Sequence, residues 1–165
     1  MPVRVREAGE KDAPGILAVA RELVEDGTTY VFDPGTSDEA LAAYWLDPGV
    51  RRYVAEAGGE VGGVYLLRPN QPGRGSHVAN AAYAVARRFA GRGLGRAMGE
   101  HSLAEARRLG FSAMQFNLVV STNEPAVALW TSLGFGIVGR LPGAFRHPDR
   151  GLVDAYVMHR FLWPG

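Results

Sequence analysis

The sequence predicts a mixed α/β fold whose sheet is largely antiparallel with one parallel pair. Three observations predict it. Segments of strand-like and helix-like hydrophobic spacing follow one another in the order βααβββαβαββ. A strand, a helix and a strand succeed each other over 77–120, which makes those two strands parallel neighbours. Segments 51–56 and 61–67 flank Gly58-Gly59, a hairpin signal. With 165 residues, 47% hydrophobic and 21% charged, the chain fits a single domain over 1–165 with a sizeable core.

Each element has its own local reason. Residues 3–8, VRVREA, alternate apolar and charged, as a half-buried strand does. Asp12 stands where an N-cap belongs, and Ile16, Leu17, Ala20, Leu23 and Val24 recur at helical spacing until Gly27 stops them. Thr28 to Phe32 make a polar and aromatic loop. Ser37 opens a second helix carrying Leu41, Tyr44, Trp45 and Leu46, and Pro48-Gly49 ends it. After the hairpin, 69–76 is rich in turn residues. The strand 77–86, the helix 94–109 and the strand 113–120 follow. A short helix over 123–133 closes at Gly134. Strands at 136–140 and 152–161 complete the chain, with 141–151 between them read as a loop and a lid beside a site.

Composition excludes several classes of chemistry. There is no cysteine, which removes cystine frameworks, cysteine zinc sites, iron–sulfur clusters and cysteine nucleophiles. No metal site is expected. A net charge of +1 argues against a general nucleic-acid binder. No apolar run reaches the ~18 residues of a membrane helix, and no leader segment is recognisable, so a cytoplasmic protein without membrane partners is expected.

The 22 glycines are the informative surplus, and Gly91, Gly93 and Gly95 fall at alternate positions just before a helix. Without Cβ atoms, backbone N–H groups converge there. The helix start adds unpaired donors and a partial positive charge, which together suit phosphate. Arg87, Arg88, Arg92 and Arg96 lie around this turn, and guanidinium groups match phosphate geometry. A Walker A loop is excluded, because no lysine followed by Ser or Thr is present. The dinucleotide pattern G-x-G-x-x-G fails from either Gly91 or Gly93. Taken alone, such a turn also serves simply to redirect the chain.

A second motif, Asn123-Glu124-Pro125-Ala126-Val127-Ala128-Leu129-Trp130-Thr131-Ser132-Leu133-Gly134-Phe135, follows the next strand. In this order and spacing the two motifs resemble those of the GCN5-related N-acetyltransferase superfamily, across nearly the whole chain. The family's Gln/Arg-x-x-Gly-x-Gly/Ala falls on 90–95, with Ala90 in the first position. Its Asn-x-x-Ala-x-x-Leu-Tyr-x-x-x-Gly-Phe falls on 123–135, with Trp130 in place of tyrosine.

The resemblance implies that family's fold, acetyl-CoA as donor and an amine as acceptor, joined in one ternary complex. It implies that the strand ending at Val85 splays from its parallel neighbour. The pantetheine arm then pairs with main chain at Val85 and Arg87, and the Val85 N–H polarises the thioester carbonyl. Arg92, Gly93, Leu94, Gly95, Arg96 and Ala97 take the pyrophosphate, and Asn123 serves the pantetheine arm as well as capping its helix. Trp130 cannot supply a proton as tyrosine does, so it reads as a channel wall or a weak donor. Ser121 and Thr122 stand close by in sequence.

Asn80 and Asn117 interrupt otherwise apolar strands, and a buried amide is either paired internally or aimed at a ligand. With the segments 121–135 and 139–162 they resemble a narrower branch that includes fungal azetidine-2-carboxylate acetyltransferases. That resemblance implies Asn80, Asn117 and Leu118 at the acceptor, with small cyclic imino acids as one acceptor class. Tyr30 and Tyr83 join the acceptor-site candidates, with Phe32, Phe145, His147 and Tyr156 behind them. His77, Glu56 and Asp154 are the candidates for a base. Two alternatives to a small-molecule enzyme stay open: a protein or peptide acetyltransferase, and a non-catalytic acyl-CoA sensor. A homodimer is the expected assembly.

Overall fold

The computed structural model describes residues 2–163. In chain order the elements are β1 (Val3–Glu7), α1 (Ala13–Asp26), α2 (Asp38–Trp45), β2 (Arg51–Ala57), β3 (Glu60–Pro69), β4 (Val78–Val85), α3 (Leu94–Arg108), β5 (Ala113–Val120), α4 (Glu124–Ser132), β6 (Gly136–His147) and β7 (Gly151–Phe161). The strands form one sheet in the order β1-β2-β3-β4-β5-β7-β6. Every neighbouring pair is antiparallel except β4 and β5. The fold class and element order are those the sequence predicts.

Alternation along the strands puts helices on both faces. On one face α3 buries Leu94, Met98, Gly99, Ser102, Leu103 and Ala106, one stripe at helical spacing. Three tyrosines stand side by side beneath it, paired Tyr53 with Tyr65 and Tyr65 with Tyr83 across neighbouring strands. A buried phenol needs a partner, and α3 supplies one for each. Tyr53 donates to Glu105 at 2.7 Å, Tyr65 bonds His101 Nδ1 at 2.7 Å, and Tyr83 bonds Ser102 Oγ at 2.6 Å. These bonds set the rotation of α3, and so the direction in which its N-terminus points. On the opposite face, Arg68 of β3 reaches Tyr44 of α2.

Gly62 gives the turn before α3 its seat. A Cβ there would lie 2.7 Å from the Phe89 ring and 2.8 Å from Leu94. Glycine therefore lets Phe89 sink against β3 and draws the β4–α3 connection onto the sheet.

Two expectations need correction. The segment 141–151 is not a loop or lid: β6 continues to His147 and pairs with β7 as far as Gly151. Pro142 and Gly143 lie in a register shift between Leu141 and Phe145, on an edge strand where proline and a bulge are tolerated. Asp12 stands at the N-cap of α1 but makes no side-chain cap there. Its carboxylate instead takes both Arg6 terminal nitrogens, at 2.8 and 2.9 Å, and the Gly9 N–H at 2.7 Å.

That carboxylate carries a pH dependence. The Arg6 hydrogen bonds are the main reason its pKa falls from 3.8 to about 2. A depressed carboxylate stabilises the fold fully above its unfolded pKa, and that contribution disappears as pH falls through the folded value. The Asp12→Asn variant should be less stable at pH 7 and should lose less stability between pH 3.8 and about 2. Urea unfolding across that range checks this; parallel acid limbs for variant and wild type would refute it.

Candidate functional site

The site begins where the parallel pair stops. β4 and β5 pair at Val78 with Ala113 and at Ala79 with Met114, and no further. Immediately beyond, Asn80 Nδ2 donates to the Gln115 carbonyl at 3.0 Å. A side chain thus takes over from the main chain at the last point where the strands can touch. β5 also loses register with β7 between Phe116 and Val119, which leaves Asn117 and Leu118 in a bulge. The two strands then diverge around an open cleft.

Backbone donors face that cleft. Ala86 N–H bonds the Gly62 carbonyl at 2.8 Å, so by antiparallel alternation the Val85 N–H points away from β3, toward the space β5 has left. The inner part of the cleft, about 390 Å³, is lined by Asn80, Tyr83, Val85, Asn117 and Leu118. Tyr30, Tyr44, Phe116, Asn123 and Trp130 are also in its walls. An adjoining part of about 510 Å³ runs from Val85 and Asn123 to Gly91, Gly93, Gly95 and Arg96.

At that outer end the glycine turn is a set of unpaired donors. Gly91 and Gly93 have φ of 73° and 86°, a left-handed conformation that glycine adopts without strain. Gly93 occupies the N-cap of α3 without a side chain to bond the first turn. The N–H groups of Leu94, Gly95 and Arg96 therefore lie beyond the reach of helical acceptors, at the positive end of a helix of 15 residues. Arg92 N–H bonds Phe89 O at 3.3 Å and Ala97 N–H bonds Gly93 O at 3.0 Å, so these two do not join the donors. The Leu94 side chain is buried in the core, and only its backbone faces the turn.

The arginines are less free than their spacing suggests. Arg96 bonds Ser132 at 2.7 Å and pairs with Glu100 at 3.6 Å; Arg88 pairs with Glu60 at 2.8 Å. The Arg87 N–H, expected to face the pantetheine arm, donates to Glu22 Oε2 of α1 at 2.8 Å. Asp26 lies 3.8 Å from the same arginine's guanidinium. Glu22 and Asp26 were not legible as site residues, because only the folded chain brings α1 against the end of β4.

The remaining candidates separate clearly. Trp130 is 7% exposed and packs on Tyr83 and Phe116, with ring centroids 4.6 and 4.7 Å apart. A Cβ on Gly99 would lie 3.0 Å from its Cζ3; the missing side chain makes room for the indole as a wall. Tyr83 lines the cleft with its ring while its hydroxyl is engaged by Ser102 on the far side. Asn117 is exposed and tied internally, donating to Asn70 Oδ1 at 2.8 Å and accepting from Gln115 at 2.9 Å. Phe32, Phe145, His147 and Tyr156 lie outside the lining. So do the three base candidates. His77 is exposed at the start of β4, Glu56 is bonded by Arg6, and Asp154 accepts the Gly143 N–H at 3.0 Å. Ser121 and Thr122 are also absent from the walls.

Among the described residues the inner cleft therefore has no carboxylate, imidazole or amine in its lining; its phenols are Tyr30, Tyr44 and Tyr83. Burial pushes the Tyr30 and Tyr83 phenols well above their ordinary range. Among the described residues no cluster of three His, Cys, Asp or Glu could hold a metal ion. No helix there is long and apolar enough to cross a membrane.

Comparison with known proteins identifies the family. Residues 17–135 match the Acetyltransferase (GNAT) family, and the chain belongs to that family. The solved structure of a GCN5-related N-acetyltransferase from Kribbella flavida is 46% identical, with a TM-score of 0.91 over 96% of this chain and 97% of that one. The L-methionine sulfoximine/L-methionine sulfone acetyltransferase of Pseudomonas aeruginosa is 31% identical over 150 residues, 86% of this chain and 85% of that protein. N-acetyltransferase aca1 of Schizosaccharomyces pombe is 39% identical over 101 residues, 58% of this chain. The matched stretch is 46% of the yeast protein's length.

Asn123 gives a test of local structure. Its Oδ1 accepts the Ala126 N–H at 3.4 Å and caps α4, the helix that carries Trp130. Asn123→Ala should lower stability by about 1 kcal/mol, and Asn123→Ser by less, because serine also caps. Equal losses in denaturant unfolding would remove the cap from the account.

Proposed function

We propose that this protein transfers the acetyl group of acetyl-CoA directly to the amine of a small molecule. One observation carries the reading: a cleft opened by two diverging strands shares its lining at Val85, Gly95 and Asn123 with a second pocket that ends at a turn of unpaired backbone N–H groups at a helix start. A long donor molecule with a phosphate-bearing end and an extended arm matches both parts. The amine nitrogen attacks the thioester carbonyl carbon, the C–S bond breaks, and the sulfur leaves as thiolate while the nitrogen loses a proton.

The chain's own groups have distinct parts in this scheme. The Val85 N–H faces the carbonyl oxygen as negative charge develops on it. The Leu94, Gly95 and Arg96 N–H groups receive the pyrophosphate. Glu22 vacates the Arg87 N–H when the pantetheine arm arrives. Trp130, Tyr83 and Phe116 form an apolar wall, which excludes water from the thioester. No cysteine exists to form an acyl-enzyme, so a single ternary complex is the route consistent with the chain. A general base contributes only about 10²–10⁴-fold, so an acceptor amine deprotonated by solvent can still react.

The aromatic side chains that line the inner cleft favour a small acceptor over an extended peptide. The amino-acid analogues named for the Pseudomonas relative point the same way.

Release of CoA from acetyl-CoA across an amine panel tests the reading; acetyl-CoA binding without turnover on any amine would leave a sensor instead. Gly93→Asp places a side chain at φ 86° and a negative charge at the phosphate end, and it should weaken acetyl-CoA binding at least ~100-fold by calorimetry, since charge-assisted bonds to the phosphate are replaced by repulsion. Unchanged affinity would move the phosphate site elsewhere. Asn80→Ala should raise the acceptor KM more than the acetyl-CoA KM; the reverse order would place Asn80 at the donor.

A further inference from the structure

Resting on the acetyl-transfer reading, we propose that the acceptor carries a carboxylate beside its amine, and that Tyr44, backed by Arg68, reads that carboxylate. Hydrogen-bond donors are in excess where Tyr30 and Tyr44 meet on the cleft lining. Tyr30 O–H bonds the Tyr44 oxygen at 2.6 Å, and Arg68 donates to the same oxygen at 2.7 Å. Two phenols sharing one bond leave one O–H hydrogen over, whichever of them donates. No protein acceptor for it exists among the described residues, and both phenols line the cleft.

Arg68 adds charge to this arrangement. Its guanidinium lies 4.8 Å from the centre of the Tyr44 ring, and no carboxylate comes within 4 Å of it among the described residues. A half-buried arginine whose partner is a neutral phenol has positive charge still to be balanced. No acidic side chain lines the inner cleft to do so. Arg68 acts through Tyr44: it polarises the phenol and holds it in place.

Across the next rung the polarity reverses. Arg68 pairs with Asn80 between β3 and β4. Asn80 uses an N–H on Gln115, and its Oδ1 has no donor among the described residues. A cationic and O–H-donating corner thus stands beside an acceptor oxygen that lies on the way to Val85. An α-amino or α-imino acid complements both at once, with its carboxylate toward Tyr44 and its nitrogen past Asn80 toward the fork. A simple amine leaves the corner without a partner.

The experiment compares matched pairs: L-methionine sulfone with its α-carboxamide, and azetidine-2-carboxylate with its carboxamide, beside plain amines. The quantity is the acid-to-amide ratio of kcat/KM in wild type divided by the same ratio in each variant, which cancels the different basicities of the two nitrogens. Arg68→Met and Tyr44→Phe should each reduce that preference about 10- to 100-fold, the range for a lost charge-assisted hydrogen bond. Arg68→Lys should restore part of it in the first case, which a merely structural arginine has no reason to do. Should Arg68→Met fail to fold, Tyr44→Phe alone decides. An unchanged ratio in the folded variants would overturn the proposal, as would turnover confined to amines without a carboxylate; in both cases acetyl transfer itself stands. Acetyl-CoA binding with no turnover on any amine would overturn both readings together.

Discussion

The structure depends on where β4 and β5 stop pairing. Parallel strands normally continue their ladder to a common end, because every unpaired backbone group within a sheet is costly. Here the ladder ends after Ala79 and Met114. The Asn80 amide closes it by bonding the Gln115 carbonyl. The cleft exists because the strands diverge past that bond, and every group facing the cleft from the sheet owes its position to it. The Val85 N–H is open to a ligand because its natural partner strand has turned away. The bulge at Asn117 and Leu118 lets β5 bend away while it stays attached to β7.

An opened sheet must be braced, and α3 provides the brace. Tyr53, Tyr65 and Tyr83 tie three adjacent strands to one helix through hydroxyl bonds. Hydrophobic contact alone would leave the helix free to slide by small amounts; directed bonds between buried groups do not. The same helix carries the unpaired donors of its first turn at its other end. Fixing its rotation and axial position on the sheet therefore fixes the anion-binding end relative to the fork. Gly62 and Gly99 serve that arrangement by omission, one admitting Phe89 below the turn and the other admitting the Trp130 indole.

Local signals made most of the fold legible in the sequence. Gly58-Gly59 marks the hairpin, Ser37 caps α2 as expected, and the crossover over 77–120 requires the parallel pair. The segment 141–151 misled because proline and glycine mark turns in most contexts, while here Pro142 and Gly143 occupy a bulge on an edge strand, and neighbouring pairing decides. At the candidate site, the glycine turn and Asn123 could be read because their chemistry lies within a dozen residues. The contacts of Glu22 with Arg87 and of Tyr44 with Arg68 could not, because they join elements far apart in sequence. Tyr83 shows a further limit: its position in the cleft wall was legible, but the direction of its hydroxyl depends on Ser102, 19 residues away.

The polarity of the cleft links these features to chemistry. Its outer end offers backbone N–H donors, and its inner end offers phenols backed by an arginine. Between them stand an apolar wall and the fork. Among the described residues, carboxylates line the cleft only along its outer margin, at Glu22 and Asp26 on α1, and not around its inner part. Burial holds the Tyr30 and Tyr83 phenols protonated, so neither takes up the acceptor's proton. Under the proposed reading the protein orients two reactants and stabilises developing negative charge, while the acceptor reaches the neutral amine form through solvent. Such a site favours an acceptor that binds through a group other than its reacting nitrogen. A carboxylate held by Tyr44 provides that attachment, and it leaves the amine free to lose its proton before it meets the thioester.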